Sequence, residues 1–242
     1  MDVSQVLPGA LLLLGITSAF FVSASAGLGG SLILVPVLIL ALGSKAGISL
    51  AALLLAGNNL VKLWAYRRVL PVRVAALVTL CTFGGAFLGA RFLVAAPDAV
   101  VDAAVAVSLA VALLAERREA RAWRTSLVPT LAFAAGATSG FSGTSGPLKG
   151  VAVRSLGLDR MHTIGAAAIV SAGADLTKAG VYASNGLLDA WQLQLALMAV
   201  PLMIGATYGG RYFTGLIGES GYARFFWVVI GGYAMRLVLQ RV

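Results

Sequence analysis

The stretch AALLLAGNNLVK at residues 51–62 returns at residues 167–178 as AAIVSAGADLTK, and both copies lie in runs apolar enough to cross a bilayer. Each copy places a lysine, Lys62 or Lys178, inside an apolar helical segment. An ionisable side chain at membrane depth costs roughly 2.5 to 3.5 kcal/mol on insertion scales. We therefore interpret the repeated lysine as part of a polar route through the protein.

Further blocks repeat in the same order along the chain. The offset of 116 residues that relates the two lysines also relates Tyr66 to Tyr182, and GLGGS at 27–31 to GTSGP at 143–147. One offset kept over separate blocks indicates a tandem duplication of a helical unit.

The fourth repeated block is GAFLGAR at 85–91, which matches GATYGGR at 205–211 at an offset of 120 residues. Its G-x-x-x-G spacing allows membrane helices to pack closely. The duplication predicts one membrane domain made of two repeats, 1–115 and 126–242, which are joined by a basic cytoplasmic linker at 116–125.

Composition identifies the class of protein. Of the 242 residues, 60% are hydrophobic and 11% are charged, with a mean hydropathy of +0.94, which is too apolar for a soluble domain. Long Leu, Ala and Val runs predict an all-α integral membrane protein and not a barrel of short alternating strands. The net charge of +9 lies mainly in loops, where it sets membrane orientation, so we expect no nucleic-acid partner.

The apolar runs predict ten helical segments, five in each repeat. They lie near 7–26, 31–43, 48–66, 72–93, 99–115, 126–142, 147–157, 162–182, 190–212 and 223–239. The second segment of each repeat follows a glycine-rich break and is too short to cross a core about 30 Å thick, so we expect broken or re-entrant helices there.

The predicted segments also indicate orientation. An odd number of crossings per repeat would insert the second repeat upside down relative to the first, which is an inverted repeat. Most arginines fall in loops on one side of the predicted spans, including the loop at 67–73 and the linker at 116–125. Because positive loops stay in the cytoplasm, we expect a multi-pass protein of the cytoplasmic membrane with both termini on the opposite side.

The glycine-rich breaks are candidate anion-binding elements. A helix that begins at membrane depth presents unpaired N–H groups and about half a positive charge at its first turn. Hydroxyl groups would add hydrogen-bond donors. The predicted substrate-binding residues are Gly29, Gly30, Ser31, Asn58, Asn59, Lys62, Thr144, Ser145, Gly146 and Lys178.

Two acidic or basic residues break the repeat. Asp175 stands where the first repeat has Asn59, and it could pair with Lys178 three residues away or carry a coupling proton. Lys149 stands where the first repeat has Ile33, and it is a weaker ligand candidate.

The glycine-rich break of 27–31 followed by Pro36, its second copy ending in Pro147, and the two Gly-Ala-x-x-Gly-x-Arg segments resemble the sulfite exporter TauE/SafE family. The resemblance covers nearly the whole chain. It implies two homologous halves and transport of sulfur-containing anions such as sulfite, sulfonates and thiosulfate.

These observations predict a secondary transporter of sulfur-containing anions that works by alternating access. The alternatives are a passive anion channel and a membrane scaffold subunit that does not transport. We expect no enzyme activity, because a single cysteine and a single histidine leave no nucleophile and base to pair. We also expect no cofactor and no metal. The partners are then the anion, the bilayer and a candidate coupling proton, while the oligomeric state, the preferred anion and the direction of transport stay open.

Overall fold

The computed structural model describes residues 3–26, 29–116 and 127–214, and within them every regular element is a helix. The 3₁₀ turn Arg67–Val69 joins two of the helices. The α-helices are α1 (Val3–Ala26), α2 (Gly30–Leu42), α3 (Ser44–Ala65), α4 (Val72–Ala95), α5 (Asp98–Glu116), α6 (Val128–Ser142), α7 (Gly146–Arg154), α8 (Arg160–Ser184), α9 (Ala190–Met198) and α10 (Val200–Thr214). The predicted all-α class is confirmed. The predicted segment at 223–239 and most of the linker lie outside the described residues.

Several of the described helices are long and apolar enough to span a membrane, as the composition predicted. By length and apolarity, α3, α4 and α8 could each cross a bilayer, and α9 together with α10 could form a fourth, bent span. The prediction of two short helices is also confirmed, because α2 has 13 residues and α7 has nine. That the second repeat is inverted relative to the first stays a prediction.

A glycine with a positive φ lies shortly before each of the two short helices. Gly29 precedes α2 with φ of 97°, and Gly143 follows α6 with φ of 76°. A positive φ is readily available to glycine because it has no Cβ to clash with its own backbone. The glycines therefore let the chain turn sharply between α1 and α2 and between α6 and α7.

One predicted segment, 190–212, is wrong as a continuous helix. The chain breaks at Ala199 and bends by 42° between α9 and α10. Pro201 lies in the first turn of α10, where its missing N–H is tolerated, whereas inside a continuous helix its ring would clash with the carbonyl of Leu197. The bend follows from this proline.

Helices α4 and α6 pack with their backbones in close approach. A Cβ atom at Gly85 would lie 2.0 Å from the carbonyl oxygen of Phe133, and one at Gly89 would lie 2.1 Å from that of Ala137. Gly136 of α6 meets the carbonyl oxygen of Thr82 in the same way, at 2.1 Å. The predicted packing role of the first G-x-x-x-G segment is confirmed.

The equivalent segment in α10 packs one residue away from its predicted register. Gly205 has no neighbour at the position of a Cβ, whereas a Cβ at Gly210 would lie 2.6 Å from the carbonyl oxygen of Phe21 in α1. Since Phe21 and Ala137 are 116 residues apart, Gly210 corresponds to Gly89 at an offset of 121 residues, and the offset of 120 was wrong. Thus α10 packs on α1 of the first repeat as α4 packs on α6 of the second.

Helix α8, which carries Asp175 and Lys178, has a well-defined start. Asp159 accepts hydrogen bonds from the backbone N–H groups of Met161 and His162 at 2.9 and 3.0 Å. These bonds, that of His162 first, lower the pKa of the Asp159 carboxyl. The cap fixes where α8 begins and so the register of Asp175 and Lys178 further along the helix.

Candidate functional site

The two repeated lysines make equivalent hydrogen bonds. The ammonium group of Lys62 donates to the hydroxyl of Ser23 at 3.1 Å, and that of Lys178 donates to the hydroxyl of Ser139 at 2.9 Å. Both lysines are fully buried, at 0% and 1% exposure. Because each points to a serine instead of to the surface, neither lysine reaches the lipid headgroups as a snorkelling side chain would.

The repeated tyrosines hold the same helices together. The Tyr66 hydroxyl donates to the carbonyl oxygen of Ala24 at 3.0 Å, and the Tyr182 hydroxyl donates to that of Gly140 at 2.6 Å. Both carbonyls belong to the last turn of a helix, where carbonyl oxygens accept no hydrogen bond from within the helix. Each lysine helix is therefore fastened to the helix that precedes a glycine-rich break.

Asp175 joins the two repeats at their centre. Its carboxylate lies 2.6 Å from the Lys178 ammonium group and accepts a hydrogen bond of 2.7 Å from the Asn59 amide. Asn59 and Asp175 are themselves equivalent positions of the two repeats, 116 residues apart. Helices α3 and α8 therefore meet at the same residue of each, with an amide on one side and a carboxylate on the other.

The two glycine-rich breaks lie beside each other and beside the first lysine. The Ser31 hydroxyl donates to the Thr144 hydroxyl at 3.4 Å, which links the start of α2 to the segment before α7. A Cβ at Gly30 would lie 2.7 Å from that of Ser23, the residue that accepts the hydrogen bond of Lys62. The first break is thus one side chain away from a buried ammonium group.

Other predicted residues of the breaks have been placed as follows. Gly29 caps the start of α2, Gly146 begins α7, and Ser145 precedes it with 4% exposure. Hydrogen bonds of Asn59, Asp175 and Lys178 to described residues stay among themselves and Ser139, so they do not extend to either break. That the breaks and the lysines form one binding site stays a prediction.

Two buried amide atoms have no hydrogen-bond partner among the described residues. They are the nitrogen of Asn58 and the side-chain oxygen of Asn59, on residues of 0% and 2% exposure. The Asn58 oxygen accepts a hydrogen bond of 3.1 Å from Thr207. A buried amide nitrogen without an acceptor is costly, and an anion at this place would satisfy it.

A cavity of about 280 Å³ opens next to the end of the first lysine helix. It is lined by Ala65, Arg67, Arg68, Tyr208 and Arg211. Arg211 donates a hydrogen bond of 2.5 Å to the carbonyl oxygen of Ala65, and its guanidinium lies over the Tyr66 ring, 5.3 Å from the centroid. Three arginines around one opening attract anions towards the helix that carries Lys62.

Replacing Asp175 by asparagine should destabilise the protein, because Lys178 would keep a buried charge without its carboxylate. Removing one partner of a buried ion pair costs roughly 3 to 5 kcal/mol in unfolding free energy. Thermal unfolding in detergent measures the loss, and adding Lys178→Met to Asp175→Asn should restore most of it.

Asp98 provides the matched control for this prediction. It lies 3.8 Å from Lys45 in an exposed pair, with side-chain exposures of 73% and 26%, and such pairs contribute at most about 1 kcal/mol. If Asp98→Asn and Asp175→Asn lowered the unfolding temperature equally, the buried pair would have no special role.

Sequence reasoning missed three hydrogen-bond partners of the predicted site residues, namely Ser23, Ser139 and Thr207. Ser23 and Ser139 are 116 residues apart, so the repeat offset contained a signal for them, although an isolated serine does not stand out by itself. Thr207 had no such signal, because its contact with Asn58 depends on how α10 packs on α3.

The chain was also compared with known proteins. No curated protein and no solved structure matches it. A family model described as Sulfite exporter TauE/SafE matches residues 11–237, which is nearly the whole chain and includes the buried lysines and both glycine-rich breaks. The chain belongs to the sulfite exporter TauE/SafE family of membrane transport proteins.

Proposed function

We propose that the protein is a secondary transporter of sulfur-containing anions, of the sulfite, organosulfonate or thiosulfate type, across the cytoplasmic membrane. The observation that carries this proposal is the pair of fully buried lysines at equivalent positions, each hydrogen-bonded to a serine in the helix that precedes a glycine-rich break. Membership of the family supports transport of such anions.

In this proposal the anion binds between the two glycine-rich breaks and the lysine helices. Backbone N–H groups at the starts of α2 and α7 and the hydroxyls near them donate to its oxygens. The free amide nitrogen of Asn58 supplies another donor. The binding residues are Gly29, Gly30, Ser31, Asn58, Asn59, Lys62, Thr144, Ser145, Gly146 and Lys178.

Asp175 takes the charge-pairing role in this proposal. Its contact of 2.6 Å with Lys178 and its hydrogen bond to Asn59 place the carboxylate at the interface of the two repeats. A proton moving with the anion would have to reach this carboxylate and break the ion pair. Coupling to protons through Asp175 therefore predicts that transport breaks the contact between Asp175 and Lys178 within α8.

Alternating access follows from the same arrangement. If the second repeat is inverted, Lys62 and Lys178 lie towards opposite sides of the membrane, and rocking of one repeat on the other exposes each in turn. The arginine-lined cavity beside α3 then forms the cytoplasmic mouth. Both termini lie on the non-cytoplasmic side.

Counterflow tests the proposal. Proteoliposomes that contain the purified protein should take up labelled sulfite faster when they are preloaded with unlabelled sulfite, thiosulfate or an organosulfonate than when preloaded with chloride. A carrier exchanges one bound anion for another. With an internal anion available, the binding site returns to the outer face loaded, which is faster than returning empty. Liposomes without protein give the background flux.

Other results would support the alternatives. Sulfite flux that follows the membrane potential and ignores the internal anion would indicate a passive channel. No flux above that of empty liposomes, with protein that still unfolds cooperatively on heating, would contradict transport and favour the scaffold.

A further inference from the structure

A third buried lysine, Lys149, lies on α7, the short helix that begins at the second glycine-rich break. It is 9% exposed, and no hydrogen bond or ion pair joins it to any described residue. A buried ammonium group without a partner is costly. Its position in the first repeat is occupied by Ile33, an apolar side chain of 1% exposure, so packing at this place does not require a charge.

The charge of Lys149 interacts with the buried charges of Lys62, Asp175 and Lys178, which we call the central cluster. It is repelled by Lys62 and Lys178 and attracted by Asp175. The Asp175 carboxylate, however, already lies 2.6 Å from Lys178 and 2.7 Å from the Asn59 amide. Lys149 therefore adds a positive charge for which the cluster holds no separate counter-charge among the described residues.

Lys149 also connects the two parts of the proposed site. Its helix starts at Gly146, within the break that contains Thr144, and packs against α8, the helix that carries Asp175 and Lys178. An anion bound between the break and the cluster would give the buried ammonium group of Lys149 a partner.

Resting on the proposed function, we propose that Lys149 is a third anion-binding lysine, and that it gives the site a preference for doubly charged sulfur oxyanions over singly charged ones. Asp175 neutralises Lys178, and Lys149 restores the excess of positive charge that a second negative charge on the ligand requires. The two departures from the repeat, Lys149 for Ile33 and Asp175 for Asn59, then act together.

Coulomb's law gives the expected size of the effect. The attraction between Lys149 and a ligand scales with the ligand's charge, so loss of the lysine weakens binding energy twice as much for a doubly charged anion as for a singly charged one. In affinities, the factor lost for the doubly charged anion is the square of the factor lost for the singly charged one. A roughly threefold loss for the latter thus corresponds to roughly tenfold for the former.

The experiment compares thiosulfate, which is doubly charged, with methanesulfonate, which is singly charged, by titrating each against the thermal unfolding of the purified full-length protein. Lys149→Met should lose about tenfold in apparent affinity for thiosulfate and about threefold for methanesulfonate. Lys149→Arg should keep the preference of the native protein. Lys149→Gln retains polarity without charge and should show the same losses as Lys149→Met. It replaces the methionine variant in the experiment if that variant folds poorly.

The matched control is Lys45→Met, because Lys45 is partly exposed and pairs with Asp98 outside the cluster. It should change neither affinity. Without anion, Lys149→Met should unfold at the same temperature as the native protein or higher, since an unpaired buried charge has been removed.

Equal losses for the two anions, or an unchanged preference in both neutral variants, would overturn the role of Lys149. The proposed function would still stand in that case, provided that the anions stabilise the native protein. If the native protein were stabilised by neither anion, the proposed function itself would fail, and the role of Lys149 with it.

Discussion

Replacing Lys62 and Lys178 by methionine in one protein should abolish anion counterflow. Each lysine offers a charge-assisted hydrogen bond worth roughly 1.5 to 3 kcal/mol, which is about a tenfold to hundredfold change in affinity. The two losses together should weaken binding by at least about a hundredfold. Labelled sulfite uptake into preloaded proteoliposomes measures the result.

The design of this variant has to respect the ion pair at the centre of the molecule. Lys178→Met alone would leave the Asp175 carboxylate buried without its cation, so Asp175→Asn belongs in the same protein. Thermal unfolding shows that the combined variant is folded, and Lys45→Met controls for the removal of a lysine elsewhere. Native rates of counterflow in the folded triple variant would remove both lysines from the transport mechanism.

Substituting Gly85 by alanine should strongly destabilise the protein. The new Cβ would lie 2.0 Å from the carbonyl oxygen of Phe133, and since that atom is backbone, α4 and α6 must move apart. Overpacking typically costs 1 to 3 kcal/mol, and backbone against backbone should reach at least about 3 kcal/mol. The yield of folded protein and its unfolding temperature in detergent measure the loss.

Gly84 is the matched control, one residue away on the same helix. The nearest atom to a Cβ there is in the Phe133 ring at 3.8 Å, an ordinary contact. Gly84→Ala should therefore be neutral or stabilise the protein by up to about 1 kcal/mol, because alanine is the better helix former. Similar losses at Gly84 and Gly85 would show that close backbone packing is not what holds α4 to α6.

The repeat made much of this fold predictable. An offset that relates Lys62 to Lys178 and Tyr66 to Tyr182 marks positions with the same environment, and both pairs make the same contacts in the structure. The glycine-rich breaks likewise predicted the short helices. A cluster of glycines and the short length of the apolar run after it can both be recognised from local sequence.

Features that depend on how helices meet were harder to predict. Gly205 and Gly210 lie on the same helix and both suit close packing by sequence alone. Only the contact with Phe21 of α1 shows that Gly210 is the one that faces a neighbouring helix. The break at Ala199 was predictable in principle from Pro201, but the apolar run continues on both sides and hides it. That Lys149 is buried depends on how α7 packs on its neighbours, and its sequence neighbours give no indication of it.

The hydrogen bond between Asn59 and Asp175 bears on how such a chain can evolve. A duplicated unit first forms identical halves, which could separate and pair with copies of themselves. Two copies of the second repeat would now bring two Asp175 carboxylates together, and adjacent carboxylates cannot both stay ionised. Two copies of the first would place amide against amide, with no carboxylate to accept the hydrogen bond of Asn59. At this contact each repeat is therefore matched to the other repeat and not to a second copy of itself.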